Sequence, residues 1–318
     1  MKPRLLGFAP VFMSMVMLAS ITPPFSRVMA QEGQRGGYVI RKDVNLVVLP
    51  TTVLDKNGKF VTDLPAESFS VFENKILQKL AIAKHEDIPV SVGLVIDNSG
   101  SMRDKRDSVN AAALAFVESS NPYDETFVVN FSDEFFLDQE FTSSVSELEE
   151  ALGNVTGRGN TAVYDAIVGS MDYLMENGKR DKKALLVVTD GEDHASKLTL
   201  RKTIAEIQKS NAIIYVVGVL GEEDRGAARA AKRAIQEIVD ASGGLAFFPN
   251  NNPVDIEEVC NIIAHDIRNQ YTIGYYSSVS SADQSFRRVE IRVKDPKKRD
   301  LDVRTRTGYF PKQVPVKK

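Results

Sequence analysis

Hydrophobic residues from Val90 to Ile96 are interrupted only by Ser91 and Gly93, and the run stops abruptly at turn-forming residues. That pattern predicts a strand buried on both faces. Similar apolar runs at Thr126–Phe131, Ala184–Thr189, Ile213–Val219 and Leu245–Phe248 predict further strands, with a short edge piece at Phe135–Leu137. Between them the period lengthens to that of amphipathic helices at Arg106–Ser119, Ser146–Leu152, Ala162–Met175, Leu198–Ser210, Ala227–Ala241 and about Val254–Asn269. Ser146, followed three residues later by Glu149, reads as a helix cap. Strands alternating with helices predict an α/β fold, a doubly wound and mostly parallel sheet covered on both faces.

The flanking segments alternate with period two instead. Tyr38–Pro50 and Thr52–Leu54 lead into a hairpin turn at Asp55-Lys56-Asn57-Gly58-Lys59. Phe69–Glu73 and Leu77–Ala83 bracket a second turn at Asn74-Lys75. Past Gln270, the stretches Tyr271–Tyr276, Phe286–Val293, Leu301–Arg304 and Thr307–Phe310 also read as strands, with a turn at Asp295-Pro296-Lys297-Lys298. Neither flank alone has enough strands to bury a core, but the two together suit a sandwich. The expected organisation is an α/β domain, residues 88–269, inserted into a discontinuous β-sandwich-like domain made from residues 38–86 and 270–312. Residues 31–37 would be a flexible leader and 313–318 a tail.

Composition narrows the classes. At 318 residues, with 43% hydrophobic and 26% charged side chains, the chain suits about two globular domains. Met1–Ala30 has the form of a secretory signal. Lys2 and Arg4 precede a mostly apolar stretch from Leu5 to Ile21, and Val28-Met29-Ala30 precedes the expected cut. An uncleaved anchor is the other reading of this stretch, and Pro10, Pro23 and Pro24 favour cleavage. Export to the periplasm, cell surface or medium is therefore expected, and no later run has the length of a membrane span. Removing Lys2, Arg4 and Arg27 leaves 37 basic against 43 acidic side chains, a net charge of −6, which gives no support to nucleic-acid binding. The single cysteine, Cys260, cannot form an intramolecular disulfide and falls in an apolar helical pattern, so a buried, inert thiol is expected.

The chemistry concentrates where the buried strand stops. Asp97, Ser99 and Ser101 place three oxygen-bearing side chains at alternate positions, with Asn98 and Gly100 permitting a tight turn. Taken alone, these residues read equally well as turn formers and helix caps. Two more loops change the weighting. Gly157-Arg158-Gly159-Asn160-Thr161 opens a helix, and the strand at Ala184–Thr189 ends in Asp190-Gly191. Carboxylate and hydroxyl oxygens suit a hard divalent cation, Mg2+ or Mn2+, and the carboxyl ends of parallel strands are where ligands bind in open α/β sheets.

Asp97-Asn98-Ser99-Gly100-Ser101, then Thr161, then Thr189-Asp190-Gly191 resemble, in order and spacing, the three-part metal-ion-dependent adhesion site of the von Willebrand factor A family. The resemblance covers about residues 88–269. It implies that Asp97, Ser99, Ser101, Thr161 and Asp190 surround one divalent ion (Mg2+, or Mn2+ or Ca2+), some directly and some through water. It also implies that an Asp or Glu of a protein partner completes the shell. Asn160 departs from the glycine of many relatives, which changes loop shape more than ligand chemistry. The flanks, notably Phe69-Ser70-Val71-Phe72-Glu73-Asn74 and Tyr271-Thr272-Ile273-Gly274-Tyr275-Tyr276, resemble a bacterial, acidobacterial-type branch, which supplies no activity.

Other chemistry is weaker. Ser99 and Ser101 lack a Gly-x-Ser-x-Gly elbow. His194 follows Asp190 by four residues and reads as a solvated rim residue before a catalytic one, while His85 lies in a charged linker and is expected to be exposed. His265 reads equally as packed or exposed, and no histidine shows zinc-ligand spacing. Asp104, Asp133, Glu192 and Asp193 read as a solvated acidic rim, with tuning of the ion as the alternative. Glu222-Glu223-Asp224-Arg225 and the Lys294, Lys297, Lys298, Arg299 run read as solvated faces. The sequence thus favours an exported, non-enzymatic, metal-dependent protein-binding module. A cell-envelope scaffold with a structural metal site is the alternative, and a metal-assisted hydrolase a more distant one.

Overall fold

The computed structural model describes residues 46–153, 159–220, 224–249, 253–280 and 283–311. The expected signal, leader and tail lie outside these residues, as do Gly157 and Arg158 of the Gly-rich loop and the expected strand residues before Leu46.

The α/β layer is built on six strands: β5 (Val90–Asp97), β6 (Glu125–Phe131), β7 (Phe135–Thr142), β8 (Lys182–Thr189), β9 (Ile213–Gly218) and β10 (Ala246–Phe247). They lie in the order β10-β9-β8-β5-β6-β7, parallel except for β7. β5 is central, with every residue buried, as an unbroken apolar run requires. Six helices cover the sheet: α1 (Arg106–Glu118), α2 (Val145–Gly153), α3 (Val163–Asn177), α4 (Leu200–Lys209), α5 (Arg225–Ser242) and α6 (Pro253–Arg268). Two cores result. Leu94, Ile96, Leu186 and Tyr215 face α1, α2 and α6, whereas Val95, Phe127, Leu185 and Ile214 face α3, α4 and α5. Phe135–Leu137 belongs to a longer strand than expected, the full eight residues of β7, because pairing with β6 continues past the bulges that break its alternation.

The flanks form two antiparallel sheets. Their strands are β1 (Leu46–Asp55), β2 (Phe69–Glu73), β3 (Ile76–Gln78), β4 (Leu80–His85), β11 (Tyr271–Tyr276), β12 (Arg287–Val293), β13 (Leu301–Arg304) and β14 (Gly308–Tyr309). One sheet runs β13-β1-β11-β4 and the other β14-β12-β2-β3, so each takes strands from both sides of the α/β segment. Leu49, Val53, Ile273 and Tyr275 of the first pack against Phe69, Val71, Val289 and Ile291 of the second. The expected single strand Leu77–Ala83 is broken at Lys79, where the chain leaves one sheet for the other. Asn74 and Lys75 take φ of 48° and 69°, the double left-handed turn that a tight β2–β3 hairpin demands. His85 and Tyr271 sit opposite each other in the β4–β11 register. The chain therefore leaves the sandwich for the α/β layer and returns to it at the same place.

Two expectations change here, and a third holds. His85 is half-buried with its ring against Tyr271, centroids 5.5 Å apart, and burial lowers its pKa. Lys297 and Arg299 are not a free solvated face: both pair with Asp63, and Arg299 also with Asp295. Cys260 is buried as expected, and burial pushes its thiol up to about 12.

Asp266 of α6 ties the α/β layer to the sandwich. It accepts from Tyr215 (2.6 Å) on β9, Thr52 (3.1 Å) on β1 and the Arg304 guanidinium (2.6 Å) on β13. Asp266 is 1% exposed, so its charge is held by these donors and by little water. Replacing Asp266 with Ala strands a guanidinium and a phenol, and urea denaturation should show a loss of about 3 kcal/mol. An unchanged midpoint would mean that the two parts do not depend on this contact.

Candidate functional site

Strand register sets the geometry. Ile96 of β5 lies opposite Val188 of β8, so Asp97 and Thr189 end their strands side by side. Thr189 Oγ1 donates to Asp97 Oδ2 at 2.6 Å, and the Ser99 amide donates to Asp97 Oδ1 at 2.9 Å. Each carboxylate oxygen thus has a donor, which fixes the plane of the group. Asp97 is 2% exposed, and burial pushes its carboxyl up to about 6; the nearby Asp190 charge adds to the rise, against the lowering by Thr189 and Ser99.

A chain of side-chain contacts then crosses the rim. Ser99 Oγ lies 3.1 Å from Ser101 Oγ, and Ser101 Oγ donates to Asp190 Oδ2. Ser99, Thr161 and Asp190 are buried, whereas Ser101 is exposed. The quartet Asp97, Ser99, Ser101 and Asp190 is therefore one connected cluster, closed by the Ser101–Asp190 contact between residues 89 positions apart.

Thr161 joins through its backbone. The Gly100 amide donates to the Gly159 carbonyl (3.2 Å), and the His194 and Ala195 amides donate to the Thr161 carbonyl (2.9 and 3.0 Å). The Ala162 amide donates to Ser132 O (2.8 Å), anchoring the same loop to the end of β6. Gly159 has φ of +86°, and a side chain there would collide with the Asp133 carboxylate. The middle loop is thus held against both neighbours.

Two of the four acids read as a solvated rim, Asp133 and Asp193, hold loops in place. Asp133 accepts from the Asn160 amide (3.1 Å), and Asp193 accepts from Ser196 Oγ (2.6 Å) and the Tyr164 amide (3.3 Å). Asp165, which the sequence did not single out, accepts from the Lys197 and Leu198 amides, both at 2.9 Å. Asn98 donates to Asn130, which donates to Asp138 (2.7 Å) and so locks the first loop to β7. Only the bond-forming type of these residues, Asp and Asn near turns, hinted at the role. His194 pairs with Glu192 at 3.0 Å, and among the described residues no histidine ring bonds to Ser99 or Ser101. The described residues also contain no group of three or more His, Cys, Asp or Glu side chains suited to a metal. Any cation at this rim would depend on hydroxyl oxygens beside Asp97 and Asp190, the donor set of a hard ion.

Thr189→Val keeps the shape but removes the donor to a buried carboxylate. Thermal or urea unfolding should show a loss of about 1–3 kcal/mol, with the circular dichroism spectrum unchanged. Wild-type stability in this variant would show that Asp97 does not need Thr189.

Residues 92–192 match the family model of the von Willebrand factor type A domain. Pig (Sus scrofa) inter-alpha-trypsin inhibitor heavy chain H4 is 26% identical over 197 residues, 58% of this chain and 20% of that protein. Mouse (Mus musculus) integrin alpha-11 is 34% identical over 86 residues, 26% of this chain and 7% of that protein. The chain thus spans a fifth or less of these two relatives. A solved von Willebrand factor type A structure from Catenulispora acidiphila superposes with a TM-score of 0.51 at 14% identity, covering 85% of this chain and 74% of that one. The sheet order, the three joined loops and the matched segment lead to one conclusion: the α/β layer around β5 is a von Willebrand factor type A domain.

Proposed function

We propose that this chain is an exported, divalent-metal-dependent protein-binding module whose rim captures an acidic residue of a partner. The observation that carries the reading is the continuous Ser99–Ser101–Asp190 cluster with one exposed member, past the end of the fully buried central strand. Ser99, Ser101, Thr161, Asp97 and Asp190 would hold Mg2+ or Mn2+, some of them through water. Bound there, the ion would supply an electrophilic centre with little of its charge neutralised by the protein, since only two of the five residues are acids.

The residues of the chain have separate tasks in this reading. Thr189 and the Ser99 amide hold Asp97 in one orientation. Gly159 and Asp133 hold the loop that carries Thr161. Ser101, exposed at the rim, is the member that a partner's carboxylate would approach. A hydroxyl activated for attack needs a base beside it, and Ser101 has the Asp190 carboxylate but no imidazole among the described residues. The role proposed for Ser101 is recognition. The likeness to mouse integrin alpha-11 over 86 residues supports a protein-binding role.

Titration with Mn2+ followed by electron paramagnetic resonance should show one bound ion per chain. Ser101→Ala and Asp190→Ala should each weaken it by about tenfold or more, by analogy with the loss of single positioning groups at metal sites. Mn2+ binding that is absent, or equal in all three proteins, would remove the metal from the account. The β sandwich would then be the contact surface of a scaffold.

A further inference from the structure

The first half of α5 carries Arg225, Arg229, Lys232 and Arg233, at i, i+4, i+7 and i+8, so all four lie along one stripe. Each is exposed, and among the described residues none is in an ion pair. Lys232 rests its ammonium 4.6 Å over the Phe248 ring, which leaves its outer face to solvent.

Folding does not explain this arrangement. Cations at i and i+4 repel, as Arg225 with Arg229 and Arg229 with Arg233 must. The amino-terminal half of a helix is also the end where its dipole disfavours positive charge. No acid stands in the first turn, and the capping Asp224 is occupied by the Gly226 and Ala227 amides, at 2.7 and 3.0 Å. Glu222 and Glu223 lie outside the described residues. The Arg225–Arg229 and Arg229–Arg233 spacings are therefore not favoured by the helix itself, which points to something outside the helix that they serve.

Position and shape indicate what that is. α5 packs against the rim: a side chain at Gly191 would meet Ala231 and Ile235, and one at Gly218 would meet Phe248, the ring beneath Lys232. Lys232 thus stands beside the end of β9, and Arg225, Arg229 and Arg233 lie on the solvent side of the same helix, away from the face that carries Ala231 and Ile235. The stripe is about 12 Å long, the reach of a short extended segment. A membrane surface is a poorer occupant. An interfacial helix needs a free apolar face, whereas Ala231, Ile235, Ile238 and Val239 of α5 are buried and no large apolar residue of α5 is exposed.

We propose that the Arg225–Arg229–Lys232–Arg233 stripe is a docking surface for an acidic polypeptide segment, engaged beside the serine–aspartate rim and without a metal. It extends the binding role to a second contact and stands or falls separately from the ion, because the stripe needs none. The partner's recognised region would then be acid-rich, with one carboxylate at the rim and others over α5.

Binding of a fluorescein-labelled oligoglutamate to the full chain, followed by anisotropy in EDTA at low ionic strength, tests this directly. Wild type should bind, added salt should weaken binding, and the double variant R229E/R233E should bind roughly tenfold less tightly. EDTA keeps any ion out of the rim, which separates this contact from the metal site. The melting temperature of R229E/R233E should stay close to that of wild type, because residues 225, 229, 233 and 237 make two like-charge and one opposite-charge contact in either protein; Arg229→Gln serves if the double variant fails to fold. Equal oligoglutamate binding by wild type and variants, or equal binding of oligolysine, would overturn the proposal. So would sedimentation with phosphatidylserine vesicles by a chain that ignores oligoglutamate.

Discussion

The hydrogen bond from Thr189 to Asp97 is the interaction on which the rim depends. It exists because two parallel strands at the centre of the sheet, buried where they stop, end in register, one with a hydroxyl and the other with a carboxylate. Parallel strands need crossover helices, and those helices bury both sheet faces. The polar ends of β5 and β8 are thereby left as the place where oxygen ligands can gather. Asp97 is held in a site that disfavours its charge, and Ser99 and Thr189 offset part of that penalty. A positive charge placed there would relieve the rest, so the local electrostatics and the proposed ion agree in sign.

The sandwich contributes rigidity at the other side of the molecule. Its sheets each combine strands from before and after the α/β segment, and the two junctions, His85 and Tyr271, lie opposite each other. An insertion with adjacent ends needs no long linker and costs little loop-closure entropy. Asp266 then fastens the last helix to β1 and β13 through Thr52 and Arg304. The buried Glu73, accepting from Tyr275 and Tyr309 at 2.6 and 2.8 Å, similarly ties the two sheets to each other.

Period and punctuation made much of this legible. The run from Val90 to Ile96 needed only its length and its stop to show a buried strand, and Asp97, Ser99 and Ser101 stood where ligands gather. The strand break at Lys79 was not legible, because apolar alternation continues through Leu77–Ala83 while the chain changes sheets. Nor was the length of β7, whose bulges disturb the alternation that marks a strand. Long-range pairs carry no local signal at all. Lys297 and Arg299 look like a solvated run until folding sets Asp63 beside them, and Asp133 looks like a loop acid and Asp165 like an ordinary helix residue until amides from other loops arrive. Thr161 was legible by its order among the motifs, yet its place at the rim rests on backbone bonds that no spacing reveals.

Binding at the rim and docking on α5 would act on one partner through different physics: a coordination bond at a single point, and a screened field along a helix. The central claim, that residues far apart in the chain meet to hold one cation, is tested most directly by crystallography with Mn2+. Diffraction data collected near the manganese absorption edge should give a single anomalous peak among Ser99, Ser101, Thr161 and Asp190. A map with no peak there, or with manganese bound only elsewhere on the chain, would contradict it.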